Sequence, residues 1–263
     1  MKYFIDTEFH EYKKKPLFSK AIDTIELISI GIVGEDNREY YAISKDFDLK
    51  EAWNSWQHGF KINVKPNEEV PCKEYWLREN VLKPIWRECL LESEQEWYAY
   101  SKNGSYERFV ESLNKGEFDS LFTFKSFKKL INKYGKTNKQ IAEEVKNFVY
   151  KETSQEIGVN SGDNLIPKDV RFYGYYADYD WVVFCWLFGR MIDLPKGFPK
   201  YCKDLKQMLD DKQEMRFGIN MFKGNLANDI KKLPNYPKQT NEHNALADAK
   251  WNLELYNFIK SLN

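Results

Sequence analysis

The chain has 263 residues, of which 42% are hydrophobic and 16% aromatic, so it can bury a full core and disorder is excluded as the default. Lysine plus arginine and aspartate plus glutamate number 40 each, which argues against a globally basic protein that binds duplex nucleic acid through charge alone. The four cysteines lie far apart without a Cys-x-x-Cys pair, which argues against a zinc knuckle or a redox motif.

The first half of the chain predicts an antiparallel meander followed by helices. Residues 2–8, 25–33 and 39–44 have strand patterns, and residues 34–38 supply hairpin turn chemistry. Residues 50–135 scatter five tryptophans among charges without strand alternation, which favours helices.

The second half predicts alternating helices and strands. Helices are expected at 137–150, at 178–188 before Gly189 and at 244–261, and strands at 170–176 and 201–205. Residues 151–169 and 212–242 have loop composition. The whole is an α/β layout.

The expected location is the cytoplasm. An acid, Asp6, stands where the apolar region of a signal peptide would continue. Apolar runs also stay well short of the ~18 residues that a membrane span needs.

The first strand carries two acids separated by one residue. Because side chains alternate along a strand, Asp6 and Glu8 point to one side and Thr7 to the other. Two adjacent carboxylates repel each other unless a cation neutralises them, and Mg²⁺ and Mn²⁺ prefer such oxygen ligands. The pair alone is also compatible with two solvated acids, since Asp-x-Glu occurs by chance in so acidic a chain.

A further acid lies in an otherwise apolar helix. Asp180 shares a helical stripe with Val183 and Leu187, where an unpaired carboxylate is costly. It therefore either caps the helix or meets a cation. Position favours Asp178 as the N-cap, which assigns Asp180 to a metal.

The last helix supplies a fourth acid and a histidine. Asp248 lies on a stripe with Ala245 and Asn252 and is expected to face inward. His243 precedes it by five residues and cannot share its face of a helix, so we expect it in the preceding loop, where it can take a proton. His10, which is close to Asp6 and Glu8 in sequence, is the alternative candidate for the residue that takes a proton.

In this order along the chain, the three signals resemble the DEDDh exonucleases of the ribonuclease H-like superfamily, a group that includes oligoribonuclease and ribonuclease T. The chain looks most similar to small bacterial and phage exoribonucleases that begin Tyr-Phe-x-Asp-Thr-Glu-Phe and continue Ile-Glu-Leu-Ile-Ser-Ile-Gly, which are residues 3–9 and 25–31 here. Tyr179-Asp180 and His243-x-Ala245-x-x-Asp248-Ala249 complete the resemblance. It covers residues 1–87, 137–150 and 170–262 and fades elsewhere.

The resemblance implies a ribonuclease H-like mixed sheet, with an antiparallel N-terminal meander and then parallel strands, flanked by helices. It implies a single exonuclease domain over residues 1–263 with atypical insertions at 88–136 and 151–169. Two divalent cations, Mg²⁺ or Mn²⁺, would be held by Asp6, Glu8, Asp180 and Asp248, with His243 as general base. Thr7 and Phe9 would contact the terminal nucleotide, although Phe9 fits equally well as ordinary core.

The activity so implied is a 3′-to-5′ exoribonuclease that releases 5′ mononucleotides by two-metal-ion hydrolysis. Its partner would be single-stranded or 3′-overhang RNA. The sequence does not give the oligomeric state, and the resemblance is compatible with a homodimer because related enzymes are often dimers. A DNA exonuclease or proofreading module is an alternative, because the metals act on phosphate rather than sugar. A non-catalytic nucleic-acid-binding module of the same fold is another.

Overall fold

The computed structural model describes residues 1–15, 17, 20–62, 69–100, 106–157, 166–167, 169–217 and 229–262. The chain divides into two compact units. Unit 1 comprises Met1–Phe9, Leu27–Ala42 and Thr137–Asn263, and unit 2 comprises His10–Glu26 and Ile43–Lys136.

Strands and helices alternate along much of the chain. In chain order the strands and α-helices are β1 (Lys2–Lys14), β2 (Ile22–Gly34), β3 (Glu39–Ile43), α1 (Leu49–Asn54), β4 (Gln57–Ile62), β5 (Glu69–Glu74), α2 (Lys83–Tyr100), α3 (Tyr106–Asn114), α4 (Phe124–Tyr134), α5 (Asn138–Ile157), β6 (Arg171–Gly174), α6 (Asp178–Phe188), β7 (Cys202–Asp204), α7 (Leu205–Phe217) and α8 (Ala245–Ser261). A π-helical turn, Arg78–Leu82, leads into α2, and short 3-10 turns lie at Asp119–Leu121, Met191–Asp193 and Ile230–Lys232.

The main sheet has the strand order β3-β2-β1-β6-β7 and contains both antiparallel and parallel strands. β1 runs parallel to β6 with Phe4 opposite Tyr173, and β6 runs parallel to β7 with Gly174 opposite Asp204. The predicted α/β fold with a mixed sheet flanked by helices is therefore confirmed, and it is compatible with a ribonuclease H-like fold.

The start of α8 lies directly on the sheet. Gly31 in β2 makes this possible, because a Cβ there would come within 2.1 Å of the Ala245 carbonyl oxygen. Asn244 caps the helix, its side chain accepting a hydrogen bond from Ala247 N at 2.9 Å. Further along α8, buried apolar side chains pack with residues of β1, β6 and α7, in a cluster that includes Phe4, Tyr173, Leu205, Leu209, Trp251, Leu255, Phe258 and Ile259.

Unit 2 contains an antiparallel hairpin of β4 and β5, which runs from Gln57 opposite Glu74 to Ile62 opposite Glu69. The prediction that residues 50–135 hold no strand is therefore wrong. Phe60 and Ile62 in β4, and Val70 and Cys72 in β5, do alternate along the strands, but each run is short and lies among charged residues, which favoured the helical interpretation. The helices of this unit enclose an aromatic cluster in which Trp53 contacts Phe122 and Phe127.

Two predicted loops are shorter than expected. α5 continues to Ile157 and α7 to Phe217, each several residues into a segment whose composition indicated a loop. Residues 158–165, 168 and 218–228 of those segments lie outside the described residues. The single domain with insertions at 88–136 and 151–169 stays a prediction, and the described part of 88–136 is mainly helical.

Among the described helices, none combines the length and the apolar character needed to cross a membrane.

Candidate metal centre

The two acids of β1 lie beside the end of β6. β6 ends at Gly174. Its neighbours β1 and β7 run in the same direction, so the carboxyl ends of all three strands point to the same edge of the sheet. Carboxyl ends of parallel strands are where α/β sheets place ligands. Asp6 and Glu8 both reach a pocket at this edge.

Asp180 is fixed to β1 by Thr7. The backbone N–H and the hydroxyl of Thr7 both donate to Asp180 Oδ1, at 2.8 and 2.6 Å. Asp180 lies in the first turn of α6 and is buried with the apolar face of that helix. The helix that follows β6 therefore delivers its acid to the strand that carries Asp6 and Glu8.

Asp178 does not cap α6, and that prediction is wrong. The N-cap position is Ala177, whose own side chain offers no acceptor, while Asp178 is already helical and exposed. Asp204, at the end of β7, stabilises this turn instead, because its Oδ2 accepts from Ala177 N at 2.8 Å. A cap supplied from a distant strand leaves no signal in the local sequence.

Asp248 holds the loop that carries His243. Its Oδ2 accepts from the backbone N–H of His243 at 3.0 Å, and its Oδ1 accepts from Gln239 Nε2 at 2.6 Å. His243 has a positive φ of 66°, a conformation that is uncommon outside glycine and that turns the chain into α8. His243 thus lies in the loop before the helix rather than on it.

The four acids and the histidine line one pocket. Its lining residues are Asp6, Thr7, Glu8, Tyr175, Asp180, Gln239, His243, Asp248, Trp251 and Asn252. One carboxylate oxygen from each of Asp6, Glu8 and Asp248 lies within 4.8 Å of the other two. Asp180, from the middle of the chain, lines the same pocket but does not belong to that group of three. We call the four acids of this pocket the carboxylate cluster: Asp6, Glu8, Asp180 and Asp248.

Burial and mutual repulsion make this cluster unfavourable as a set of free anions. Burial, then Asp180, Glu8 and Asp248 in that order, raise the pKa of Asp6 well above its usual range. Burial and then Asp248 and Asp180 raise the pKa of Glu8 to about 8. Burial also raises the pKa of Asp248, against the hydrogen bonds from Gln239 and His243 that lower it. Such a site favours whatever adds positive charge.

The donor set fits a hard divalent cation. Within the described chain, neither lysine nor arginine lines the pocket or forms an ion pair with the carboxylate cluster. Asn252 adds a further oxygen. Its Nδ2 donates to Ile5 O at 2.9 Å, which fixes the amide orientation, and its buried Oδ1 has no hydrogen-bond partner among the described residues. Oxygen-only donors of this kind suit Mg²⁺ and Mn²⁺.

The remaining candidates from the sequence lie around this pocket or apart from it. Thr7 lines the pocket, but its hydroxyl is engaged with Asp180. Phe9 is half-buried, packs against Tyr179 with ring centroids 5.9 Å apart, and is not among the described residues that line the pocket. His10 belongs to unit 2, where it is buried and stacks on Tyr12 at 4.8 Å.

Sequence reasoning missed four lining residues: Tyr175, Gln239, Trp251 and Asn252. Asn252 carried a usable signal, because it is a polar residue one turn after Asp248 on the buried face of the last helix. Gln239 carried none, since it lies in an irregular loop and reaches the site only through the fold.

No family model matches the chain. The chain is similar over nearly its whole length to two curated proteins of Mycobacterium tuberculosis, one from strain CDC 1551 / Oshkosh and one from strain ATCC 25618 / H37Rv. Both are named 3′-5′ exoribonuclease. Each is 24% identical over 261 residues, covering 99% of this chain and 94% of the relative.

Proposed function

We propose that this protein is a metal-dependent 3′-to-5′ exoribonuclease of the DEDDh type, with a ribonuclease H-like fold, that releases 5′ mononucleotides. The observation that carries the proposal is the carboxylate cluster, in which acids remote in sequence line one pocket that has neither lysine nor arginine among its described lining residues. The names of the two relatives support the direction of attack and the choice of RNA.

In this proposal Asp6, Glu8, Asp180 and Asp248 hold two divalent cations, Mg²⁺ or Mn²⁺. Bound there, the cations would supply Lewis acidity at the scissile phosphate and would lower the pKa of water. Thr7 keeps Asp180 oriented through two hydrogen bonds, and Gln239 and the His243 N–H do the same for Asp248. Fixed ligands avoid rearrangement when charge develops on the phosphate.

His243 is the proposed general base. Its backbone N–H donates to Asp248, and both residues line the pocket, so the histidine lies next to one of the proposed metal ligands. An imidazole nitrogen that takes a proton from the attacking water can later return it to solvent, because the histidine is only half-buried. Single-stranded or 3′-overhang RNA is the proposed substrate, since an unpaired 3′ end can enter a pocket that a duplex cannot.

The test is the incubation of matched 3′-labelled and 5′-labelled RNA and DNA oligonucleotides with Mn²⁺, with Mg²⁺ or with EDTA. We expect the label on the 3′ end of RNA to be released first, as a mononucleotide. The 5′-labelled strand should shorten stepwise, and EDTA should stop both reactions. The D248N variant, purified in parallel, controls for contaminating nucleases. Internal cleavage, release from the 5′ end, or hydrolysis in EDTA would overturn the proposal where D248N lacks the same activity, and faster loss from DNA would reassign the substrate.

A further inference from the structure

A row of aromatic rings leads from the carboxylate cluster to the surface of unit 1. Trp251 and Tyr175 both line the pocket, and their ring centroids are 5.0 Å apart in an edge-to-face arrangement. Tyr175 in turn contacts Tyr176, with centroids 4.8 Å apart. We call these three residues, Trp251, Tyr175 and Tyr176, the aromatic rim. It passes without interruption from a buried ring to an exposed one.

Tyr176 is held outward by the backbone. Its φ is 55°, a left-handed conformation that is rare for a bulky side chain and costs energy. The next residue, Ala177, is buried, and its N–H is fixed by Asp204. The hydrogen bond and the burial of Ala177 stabilise this turn, in which 64% of Tyr176 is exposed.

Two lysines flank the aromatic rim. Lys206 Nζ lies 5.8 Å from the centroid of the Tyr176 ring, and Lys231 Nζ lies 3.5 Å from the Tyr175 hydroxyl. Lys206 also pairs with Asp210, but an ammonium group has three donors and can bind a further oxygen. Lys231 is exposed.

The negative charge of the pocket explains what these two lysines can contribute to binding. Four carboxylates repel a polyanion, and two divalent cations would do no more than cancel their charge. Phosphates of the strand that lie outside the metal site therefore need other cations, and the described lining of the pocket provides none. Lys206 and Lys231, at the aromatic rim, are placed to supply them.

We propose that the aromatic rim and its two lysines bind the single-stranded nucleic acid on the 5′ side of the scissile phosphate, with a base stacked on Tyr176 and phosphates contacted by Lys206 and Lys231. The inference rests on the proposed function, since it assigns the path of that enzyme's substrate. Stacking on an exposed ring requires an unpaired base, which selects single strands and tolerates any sequence. Tyr176 is a binding residue in this account and takes no part in the chemistry.

The chain offers a matched control for Tyr176. Tyr201 is also a tyrosine, is 62% exposed, and belongs to the same unit. It precedes β7 at Cys202, whereas Asp204 at the opposite end of that strand contacts Ala177. The two tyrosines therefore lie at opposite edges of the sheet, and only Tyr176 is beside the pocket.

The experiment compares two substrates, a 5′-fluorescein RNA decamer and bis(p-nitrophenyl) phosphate, which has a phosphodiester but no base. We expect Y176A to raise KM for the decamer by about 5-fold to 150-fold, the range of one lost stacking contact, and to leave hydrolysis of the small ester unchanged. Y176F should restore the wild-type KM because it keeps the ring, and Y201A should behave as wild type. Thermal melting of each variant establishes that it is folded.

A second measurement tests the lysines. K231A should reduce the slope of log affinity against log salt for the decamer by about 0.7, the value for one phosphate contact on a single strand. A wild-type protein that hydrolyses neither substrate would contradict the proposed function itself. A wild type active on both, with Y176A and K231A unchanged on the decamer, would leave that function standing and overturn the role of the aromatic rim.

Discussion

Asp119 in unit 2 and the acids of the carboxylate cluster in unit 1 have opposite shifts in pKa. In unit 2, Asp119 is paired with Lys83 at 2.8 Å and with Arg87 at 2.6 Å. Burial alone would raise its pKa, but the hydrogen bonds from these two side chains hold that pKa below its usual range. In unit 1, Asp6 and Glu8 lack such partners among the described residues, and burial together with neighbouring acids raises their pKa.

The difference separates structural charge from functional charge. An acid that the protein has already neutralised contributes to the fold and has little left to offer a ligand. A cluster that the protein buries without neutralising it costs stability, and persists where something outside the chain supplies the missing charge. The carboxylate cluster of unit 1 is therefore where a cation should act, and the paired Asp119 of unit 2 is its natural control.

The largest effect is expected from removing a proposed metal ligand. D6A or D248A should lower the rate of nucleotide release by about 10³-fold or more, because metal-ion stabilisation of phosphate charge contributes several kcal/mol. D119A should keep near wild-type activity and lose about 1 kcal/mol of stability or less, as expected for a half-exposed ion pair. Initial rates on labelled RNA and unfolding curves measure both. Full activity in a folded D6A protein would remove Asp6 from the site.

A smaller effect is expected from His243. The H243A variant should reduce turnover by roughly 10²-fold or more, the usual contribution of a general base, without a matching loss of Mn²⁺ affinity. Single-turnover rates and calorimetric titration of Mn²⁺ separate the two quantities. H58A, in unit 2, is the control. Equal losses of rate and metal affinity in H243A would make this histidine a ligand instead.

How much of this could be predicted depended on whether the cause was local. The burial of Asp180 and Asp248 was predictable, because a carboxylate on an apolar helical stripe is anomalous in any fold. Gly31 under Ala245 and the Asp204 contact to Ala177 join residues far apart in sequence and could not be predicted before the sheet was known. The β4–β5 hairpin was missed although its cause is local, because the apolar alternation in its strands is short and lies among charged residues.

Metal binding should also stabilise the protein, by a smaller and separately measurable amount. Mn²⁺ at about 100 times its Kd should add about 2.7 kcal/mol, which raises the Tm by roughly 5–10 °C for a chain of this size. The D6A variant should lose most of that rise, and D119A should keep it, because only the first belongs to the carboxylate cluster. Melting curves with Mn²⁺ and with EDTA give the comparison. An identical rise in D6A would place the cation elsewhere.

The smallest effect, on the pH dependence of stability, tests the opposition between the units most directly. In EDTA the folded protein holds a proton on Glu8 up to about pH 8, while the unfolded chain releases it near ~4.3. The folded state therefore binds more protons between these values, and the Tm should fall by a few degrees as the pH rises from 5 to 8. E8Q should flatten that decline, and Mn²⁺ should abolish it because a cation favours the ionised carboxylate. Asp119 contributes to stability with the opposite pH dependence, because its pKa is lowered in the folded state. Its contribution is therefore present above its usual pKa of ~3.9 and is lost only below that value. D119N should leave the change in Tm between pH 5 and 8 as it is in the wild type. A wild-type Tm in EDTA that rises across this range would contradict the assignment of buried, unneutralised acids to unit 1.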